Sequence, residues 1–253
     1  MSDKIGRPNF GNWLPLKMIL VPGVIGLICL GLGLVHWPFI ILAGLFLGIA
    51  GYFTITRFLF SARGKNIQGQ VQNLLISHIN WNGCGKILDI GCGNGPLTIS
   101  LAQQYPKAEV VGIDFWGKNW DYSMHTCYEN ARLAGVDERV SFQKASASKL
   151  PFNNESFDLV VSNLVFHEVQ DVDDKRESIR EALRVLKAGG VFVLQDLFLL
   201  KPYYGTSEEL TKVVHSWGVR KVNFIRTCDE SFLPKLTKLP FMLGTLAILM
   251  GVK

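Results

Sequence analysis

The sequence predicts an α/β domain, with a mostly parallel sheet covered on both faces, preceded by an apolar helical hairpin. Two observations predict this. Residues 18–56 are 39 consecutive positions without Asp, Glu, Lys or Arg. Beyond Gly83, short aliphatic runs alternate with helical stretches, the pattern of strand–helix–strand units. A length of 253 residues suits one sizeable α/β domain plus an appendage, and 48% hydrophobic against 19% charged residues excludes intrinsic disorder.

The hairpin occupies residues 1–60, with spans at about 18–36 and 38–56. His36-Trp37-Pro38 marks the turn, because proline breaks a helix and the polar ring resists burial. The arms Met18–Val35 and Phe39–Thr56 are each about 27 Å long as helices, close to a hydrocarbon thickness of about 30 Å. Lys17 and Arg57 can snorkel at one interface, and Trp37 suits the other. Every nearby basic residue lies outside the hairpin, so the positive-inside rule places both ends in the cytoplasm. Gly44, Gly48 and Gly51 form one face for close helix packing, and Gly23, Gly26 and Gly33 another. A cleaved signal peptide would be far shorter. A soluble hairpin would need an apolar partner that the remaining chain scarcely supplies. A hairpin that enters the bilayer without crossing it is the rival to two full spans, given the short turn and Pro22.

Residues 61–82 read as a linker and an amphipathic helix, with Ile67, Val71, Leu74, Leu75 and His78 at helical spacing over Ile67–Asn80. Residues 83–253 form the α/β domain. Strands are expected at Lys86–Ile90, Glu109–Ile113, Val140–Lys144, Phe157–Ser162, Val191–Leu194, Val219–Ile225 and Leu246–Val252. Helices are expected at Leu97–Gln104, His125–Ala134, Asp173–Leu186 and Ser207–Ser216.

Charge and cysteine usage narrow the function. Residues 1–66 carry +5, the whole formal net charge, and the other 187 residues hold twenty basic and twenty acidic side chains. A neutral body argues against nucleic acid as a partner. Five scattered cysteines without CxxC spacing give neither a disulfide framework nor a zinc site, and no metal is expected. Asp171, Asp173 and Asp174 read as a solvated helix start.

The sharpest signal is Asp89-Ile-Gly91-Cys92-Gly93-Asn-Gly95-Pro96, where a strand ends and a helix begins. Glycines there let the backbone approach a ligand closely. Asp114, closing the next strand, is placed to accept both ribose hydroxyls of a nucleoside. Pro96 stands where a dinucleotide fingerprint has its third glycine, and no Gly-Lys-Ser/Thr follows for a P-loop. A carboxylate at Asp89 would repel phosphate but suits an ammonium group. A ligand with an amino-acid end and an adenosine end answers both acids: S-adenosylmethionine.

At these residues the chain resembles the class I S-adenosylmethionine-dependent methyltransferases, over roughly 67–253. Asp89-x-Gly91-x-Gly93-x-Gly95 matches the family's first motif, and Asp114 its ribose-binding acid. Gln143–Phe152, followed by Ser156–Asn163, resembles its adenine loop and fourth strand, and Leu183–Gly190 its turn into the fifth. The resemblance implies a Rossmann-like, doubly wound sheet of seven strands with the last antiparallel, and a cofactor set of Asp89, Gly91, Cys92, Gly93, Gly95, Asp114, Phe115, Ser146, Ala147 and Asn163. Two departures stand out. Ser146 replaces the usual adenine-loop Asp, leaving a hydroxyl and the Ala147 N–H to read the base. The run Phe115–Met124, with Trp116 and Trp120, is longer and more aromatic than the family's turn; it either roofs the pocket or packs on a helix.

The resemblance places the acceptor after the fourth strand, at Asn163, His167 and Glu168. Methyl transfer from a sulfonium needs alignment and a dry pocket, with a base only where the acceptor loses a proton. His167 has a suitable intrinsic pKa for that base, and its bland alternative is to orient a loop. Asp158 reads as structural, while Gln195 and Asp196 border the pocket. The hairpin, Leu197–Leu200, Tyr203-Tyr204, and a C-terminal stretch (201–253) with eight basic and four acidic residues suggest a small lipophilic acceptor at a cytoplasmic membrane face. Phe232–Leu243 fits an interfacial segment; the plain reading is that Leu197–Leu200 continues the fifth strand. A catalytically silent S-adenosylmethionine-binding membrane scaffold and a nicotinamide-dependent oxidoreductase are the alternatives.

Overall fold

The computed structural model describes residues 6–117 and 121–253, so Trp120 lies outside the described residues. The chain divides into two compact units, one of residues 12–71 and one formed by the chain up to Gly11 together with 72–253. This division falls at 11/12 and 71/72, beside the boundaries at 60/61 and 82/83 read from the sequence. The segment ending at Gly11 belongs to the α/β unit because Asn9 pairs with Asn130 through two hydrogen bonds. The expected linker helix straddles the division, and its Leu75 is buried in the α/β core.

In the smaller unit, α1 (Lys17–Gly33) and α2 (Pro38–Phe60) form the expected hairpin. Proline at the first position of α2 costs no hydrogen bond there. The helices meet at Gly26 against Leu47, Gly33 against Ile40 and Gly23 against Ala50. A Cβ on Gly44, Gly48 or Gly51 would meet nothing within 4 Å, so the second glycine face is not the one used between the helices. Among the described residues, one helix, Pro38–Phe60, is long and apolar enough to cross a membrane; α1, at 17 residues, is shorter. The exposed apolar side chains of α2 include Ile41 and Leu45, 64% and 57% exposed. Helix α3 (Ile67–Ser77) follows.

The larger unit holds a seven-stranded sheet: β1 (Cys84–Ile90), β2 (Lys107–Asp114), β3 (Val140–Lys144), β4 (Phe157–Asn163), β5 (Leu186–Asp196), β6 (Lys221–Arg226) and β7 (Ala247–Val252). Their order is β3-β2-β1-β4-β5-β7-β6, with β7 antiparallel to both neighbours and the other pairs parallel. Side chains alternate between two cores. Ile87, Val110, Leu159 and Val193 meet α4 (Pro96–Gln104) and α5 (Met124–Leu133). Leu88, Val160, Phe192 and Leu194 meet α6 (Arg176–Val185), the short α7 (Lys201–Tyr204) and α8 (Ser207–Ser216). Burial on both faces explains the aliphatic runs of the central strands, while the edge strands β3 and β6 alternate apolar and polar residues.

This is the Rossmann-like doubly wound sheet with the expected antiparallel last strand. The winding reverses between β1 and β4, so a crevice opens beyond their carboxyl ends, where such sheets bind ligands. The plain alternative for Leu197–Leu200 does not hold: β5 ends at Asp196, and the chain turns into α7 instead of extending the strand.

Candidate active site

Between β1 and α4 the chain runs Gly91-Cys92-Gly93-Asn94-Gly95, with φ of +74°, +58° and +83° at the three glycines. Gly91 cannot be replaced, because its φ is left-handed and a Cβ there would collide with Val165, just past β4. The Gly91 and Cys92 N–H groups donate to the Ile113 carbonyl at 2.7 and 2.9 Å, pinning the loop to β2. The Cys92 thiol is buried, and burial first, then Cys127, raises its pKa. It belongs to the core, leaving its backbone to shape the loop.

The two acids sit on either side of this loop. Asp89 is 1% exposed and accepts a 2.6 Å hydrogen bond from Thr98 of α4. Burial pushes its pKa up to about 7, Thr98 working against the rise and the Asp114 charge adding to it. Asp114, at the tip of β2, accepts from the Gly93 N–H at 2.9 Å and the Trp116 N–H at 2.7 Å. Burial raises its pKa too, against those backbone donors. A carboxylate has about four lone-pair positions, so acceptor capacity remains for ribose hydroxyls. Trp116 adopts a left-handed φ of +44°, and its indole N–H donates to the Gly93 carbonyl at 2.9 Å. It packs partly on the α4–α5 core, fixing the loop from its other side. Phe115 is 62% exposed, with the Lys144 ammonium 5.3 Å from its ring centre.

The Ser146 substitution has an unforeseen complement. Its hydroxyl lies 2.8 Å from that of Ser148, which donates to Asp171 at 2.6 Å. Hydrogen bonding from Ser148 lowers the Asp171 pKa, with Ser146 contributing as well. Asp171 is therefore tied to the Ser146–Ser148 loop while staying exposed, as Asp173 does, and Asp174 pairs with Arg176 at the start of α6. Ala147 is buried beside the loop.

At the tips of β4 and β5, Asn163 pairs in register with Gln195. Asn163 Oδ1 and both amide atoms of Gln195 are buried without a hydrogen-bond partner. Bare buried polar atoms cost about 1–3 kcal/mol each, and ligand sites are where that cost is tolerated. The next residue, Asp196, is fully buried and collects four donors: the N–H groups of Val165, Phe166 and Leu197 at 3.0, 2.7 and 2.6 Å, and His167 Nδ1 at 2.6 Å. Because a carboxylate only accepts, the proton of neutral His167 sits on Nδ1 and Nε2 is left free. Burial opposes a charge on His167, but the Asp196 carboxylate outweighs it and the pKa rises above 6.5. Glu168 Oε1 lies 3.6 Å from Nε2.

The structure thus brings Asn163, His167 and Glu168 to one tip, and the glycine loop and Asp114 to the adjacent one. Sequence reasoning missed Asp196 as the partner of His167, and the Asp171 tie. Both join positions that local periodicity cannot connect.

A nucleoside-binding α/β domain with an acid at each of its first two strand tips defines the class. A family model described as a methyltransferase domain matches residues 83–228. The chain belongs to that family, among the class I S-adenosylmethionine-dependent methyltransferases, and family and fold imply S-adenosylmethionine as the cofactor. The glycine-rich loop and the buried acids fit it. Among curated relatives, the 27-O-demethylrifamycin SV methyltransferase of Amycolatopsis mediterranei is 34% identical, covering 51% of this chain and 44% of the relative. The ubiquinone/menaquinone biosynthesis C-methyltransferase of Desulfotalea psychrophila is 31% identical, covering 45% and 42%. The bovine U6 snRNA (guanine-N(2))-methyltransferase THUMPD2 is 30% identical, covering 43% and 21%. The chain spans less than half the length of these relatives. The crystal structure of YcgJ from Bacillus subtilis shares the fold with a TM-score of 0.50 and 21% identity, covering 73% of this chain and 98% of that one.

The raised Asp89 pKa generates a test. A bound cation stabilises ionised Asp89, so cofactor binding should release a proton below about pH 7 and weaken as pH falls through that value. Calorimetry in two buffers of different ionisation enthalpy should record the proton release for the wild type and its loss in Asp89→Asn.

Proposed function

We propose that this protein transfers a methyl group from S-adenosylmethionine to a small lipophilic acceptor that gives up a proton, at the cytoplasmic face of a membrane. The observation carrying the catalytic part is the His167–Asp196 pair at the tip beside the glycine loop. The cofactor, when bound, supplies a methyl group already activated on a sulfonium. The chain's own residues do the rest. Asp89 sets a negative potential for the ammonium end, the glycine loop leaves room for the backbone to approach, and Asp114 accepts from the ribose. Ser146, the Ala147 N–H and the Asp171 carboxylate address the adenine edge. Asn163 and Gln195 offer amide groups to the polar part of the acceptor. His167 takes the departing proton on Nε2 as the new bond to carbon forms, and Asp196 stabilises the resulting imidazolium.

Three observations support the lipophilic acceptor and the membrane. Helix α2 has the length and outward apolar surface of a span. The segment 232–243 exposes Leu236, Leu239 and Phe241 beside Lys235 and Lys238, a composition suited to an anionic lipid surface. The names of the quinone-biosynthesis and rifamycin relatives point to apolar acceptors, whereas THUMPD2 is named for an RNA acceptor. The neutral charge of residues 67–253 favours the former.

Incubating membranes from an overexpressing strain with isotopically labelled S-adenosylmethionine should place label in the lipid extract. Label confined to RNA or to protein would overturn the acceptor class, and binding without transfer would leave a silent scaffold. His167→Ala should lower kcat by about 10²–10⁴-fold. The wild-type rate should rise with pH through a midpoint above 6.5, because His167 must be neutral to act and Asp196 holds its pKa up; Asp196→Asn should move that midpoint down. The same shift sets the sign for stability: the pair's contribution is complete below pH 6.5 and is lost as pH climbs through the folded-state pKa.

A further inference from the structure

We infer that the segment Asn9–Gly11, which precedes the apolar hairpin, is a working part of the cofactor site, coupled to the glycine loop through Asn130 and Tyr122. The inference rests on S-adenosylmethionine binding at that loop. Asn130 lies in α5, is 2% exposed, and spends its amide on two partners. Its Oδ1 accepts from the Asn9 N–H at 2.8 Å, and its Nδ2 donates to the Asn9 carbonyl and to the Asn94 carbonyl, both at 2.9 Å. One side chain therefore ties the segment to the middle of the glycine loop. Asn94 is buried as well, and its side-chain oxygen accepts from the Ser123 N–H at 3.0 Å, fixing the start of α5 to the same loop.

A second contact acts in parallel. The Asn9 side chain accepts from the Gly11 N–H at 3.1 Å, closing a turn in which Gly11 has a φ of +74°. Tyr122 is held between two glycines across this turn. A Cβ on Gly11 would lie 3.0 Å from one edge of its ring, and a Cβ on Gly93 would lie 3.5 Å from the other. A methyl group at Gly11 would be in tighter than ordinary contact with Tyr122, so the ring would have to shift by a few tenths of an ångström. The segment, Tyr122 and Gly93 form one stack, and Gly93 is the residue whose N–H fixes Asp114 and whose carbonyl receives Trp116 and the Cys127 thiol.

Cutting this tie removes the Asn130 donor from the Asn94 carbonyl or displaces the Tyr122 ring beside Gly93, so the loop loses preorganisation for the cofactor without losing any group aimed at the acceptor. Asn130 and Gly11 are positioning residues on this account. Affinity for S-adenosylmethionine and for its product S-adenosylhomocysteine falls together, and the KM for the acceptor stays where it was.

Three variants of the full-length protein test this by calorimetry with both compounds. Gly11→Ala, strained by its positive φ and wedged against Tyr122, should raise both dissociation constants at least fivefold, with a thermal midpoint close to wild type. Asn130→Ala should raise them by a similar or larger factor. Arg7→Ala, exposed on the same segment, should bind as wild type. Gly11→Ala keeps the test decisive if Asn130→Ala fails to fold. Wild-type affinity in Gly11→Ala would overturn the inference, as would a loss equal to that of Arg7→Ala. Absence of binding in the wild type would instead overturn the cofactor reading itself.

Discussion

The hydrogen bond from the Gly93 N–H to the Asp114 carboxylate is the constraint on which the cofactor half depends. It joins the loop after β1 to the tip of β2, and it does so with the acid that the proposed reading assigns to the ribose. Held this way, Asp114 cannot swing toward solvent, and burial raises its pKa despite the backbone donors. Asp89, one strand over, bears the same kind of penalty more heavily. Among the described residues no cation acts on these two buried acids, an unfavourable arrangement for an isolated fold. The arrangement becomes sensible when a ligand brings both a positive charge and hydroxyl donors, and that coincidence is what selects the cofactor class over a phosphate-bearing nucleotide.

The acceptor half is built around a different acid, and the two halves touch. Asp196 gathers three backbone N–H groups and His167, so the turn after β4 has few other shapes open to it. Val165, whose N–H is one of those donors, is also the side chain that presses on Gly91. The glycine loop and the turn that carries His167, the base on the proposed reading, are thereby set against each other by one contact. An in-line displacement demands that kind of fixed spacing between donor and base, since the enzyme's contribution is largely alignment.

The central strands were legible because strands buried on both faces are largely aliphatic, whereas the edge strands β3 and β6 showed through apolar residues alternating with polar ones. All seven strands stood out, although β5 starts at Leu186, five residues before the expected Val191. The glycine loop was legible for a related reason: close backbone approach tolerates one residue type at several nearby positions. What stayed hidden were side-chain pairings across long sequence separations. Nothing around Asp196 in Leu194-Gln-Asp-Leu197 says that it meets His167, and Ser148 gives no sign of Asp171. Asn130 reads as an ordinary polar helix residue until its two partners are seen. The helix glycines illustrate the same limit. Two small-residue faces were visible, but the choice of Gly23, Gly26 and Gly33 at the contact depends on the rotation of both helices.

The placement of Asn9 beside Asn130 also constrains the membrane reading. The α/β unit is left at Gly11 and re-entered at residue 72, so the apolar hairpin is an insertion into that unit and not an appendage to it. A single crossing by α2 would put Asn9 and Asn130 on opposite sides of a bilayer, which two hydrogen bonds between them forbid. On the proposed reading the hairpin crosses twice or dips in and returns, and either way both ends share a face. That agrees with the basic residues flanking it, by an argument independent of charge. With Arg7→Cys added, an impermeant maleimide should reach that position and the exposed native Cys84 from the same side of sealed vesicles. Labelling from opposite sides would break either the pairing or the insertion, because the two cannot both survive an odd number of crossings.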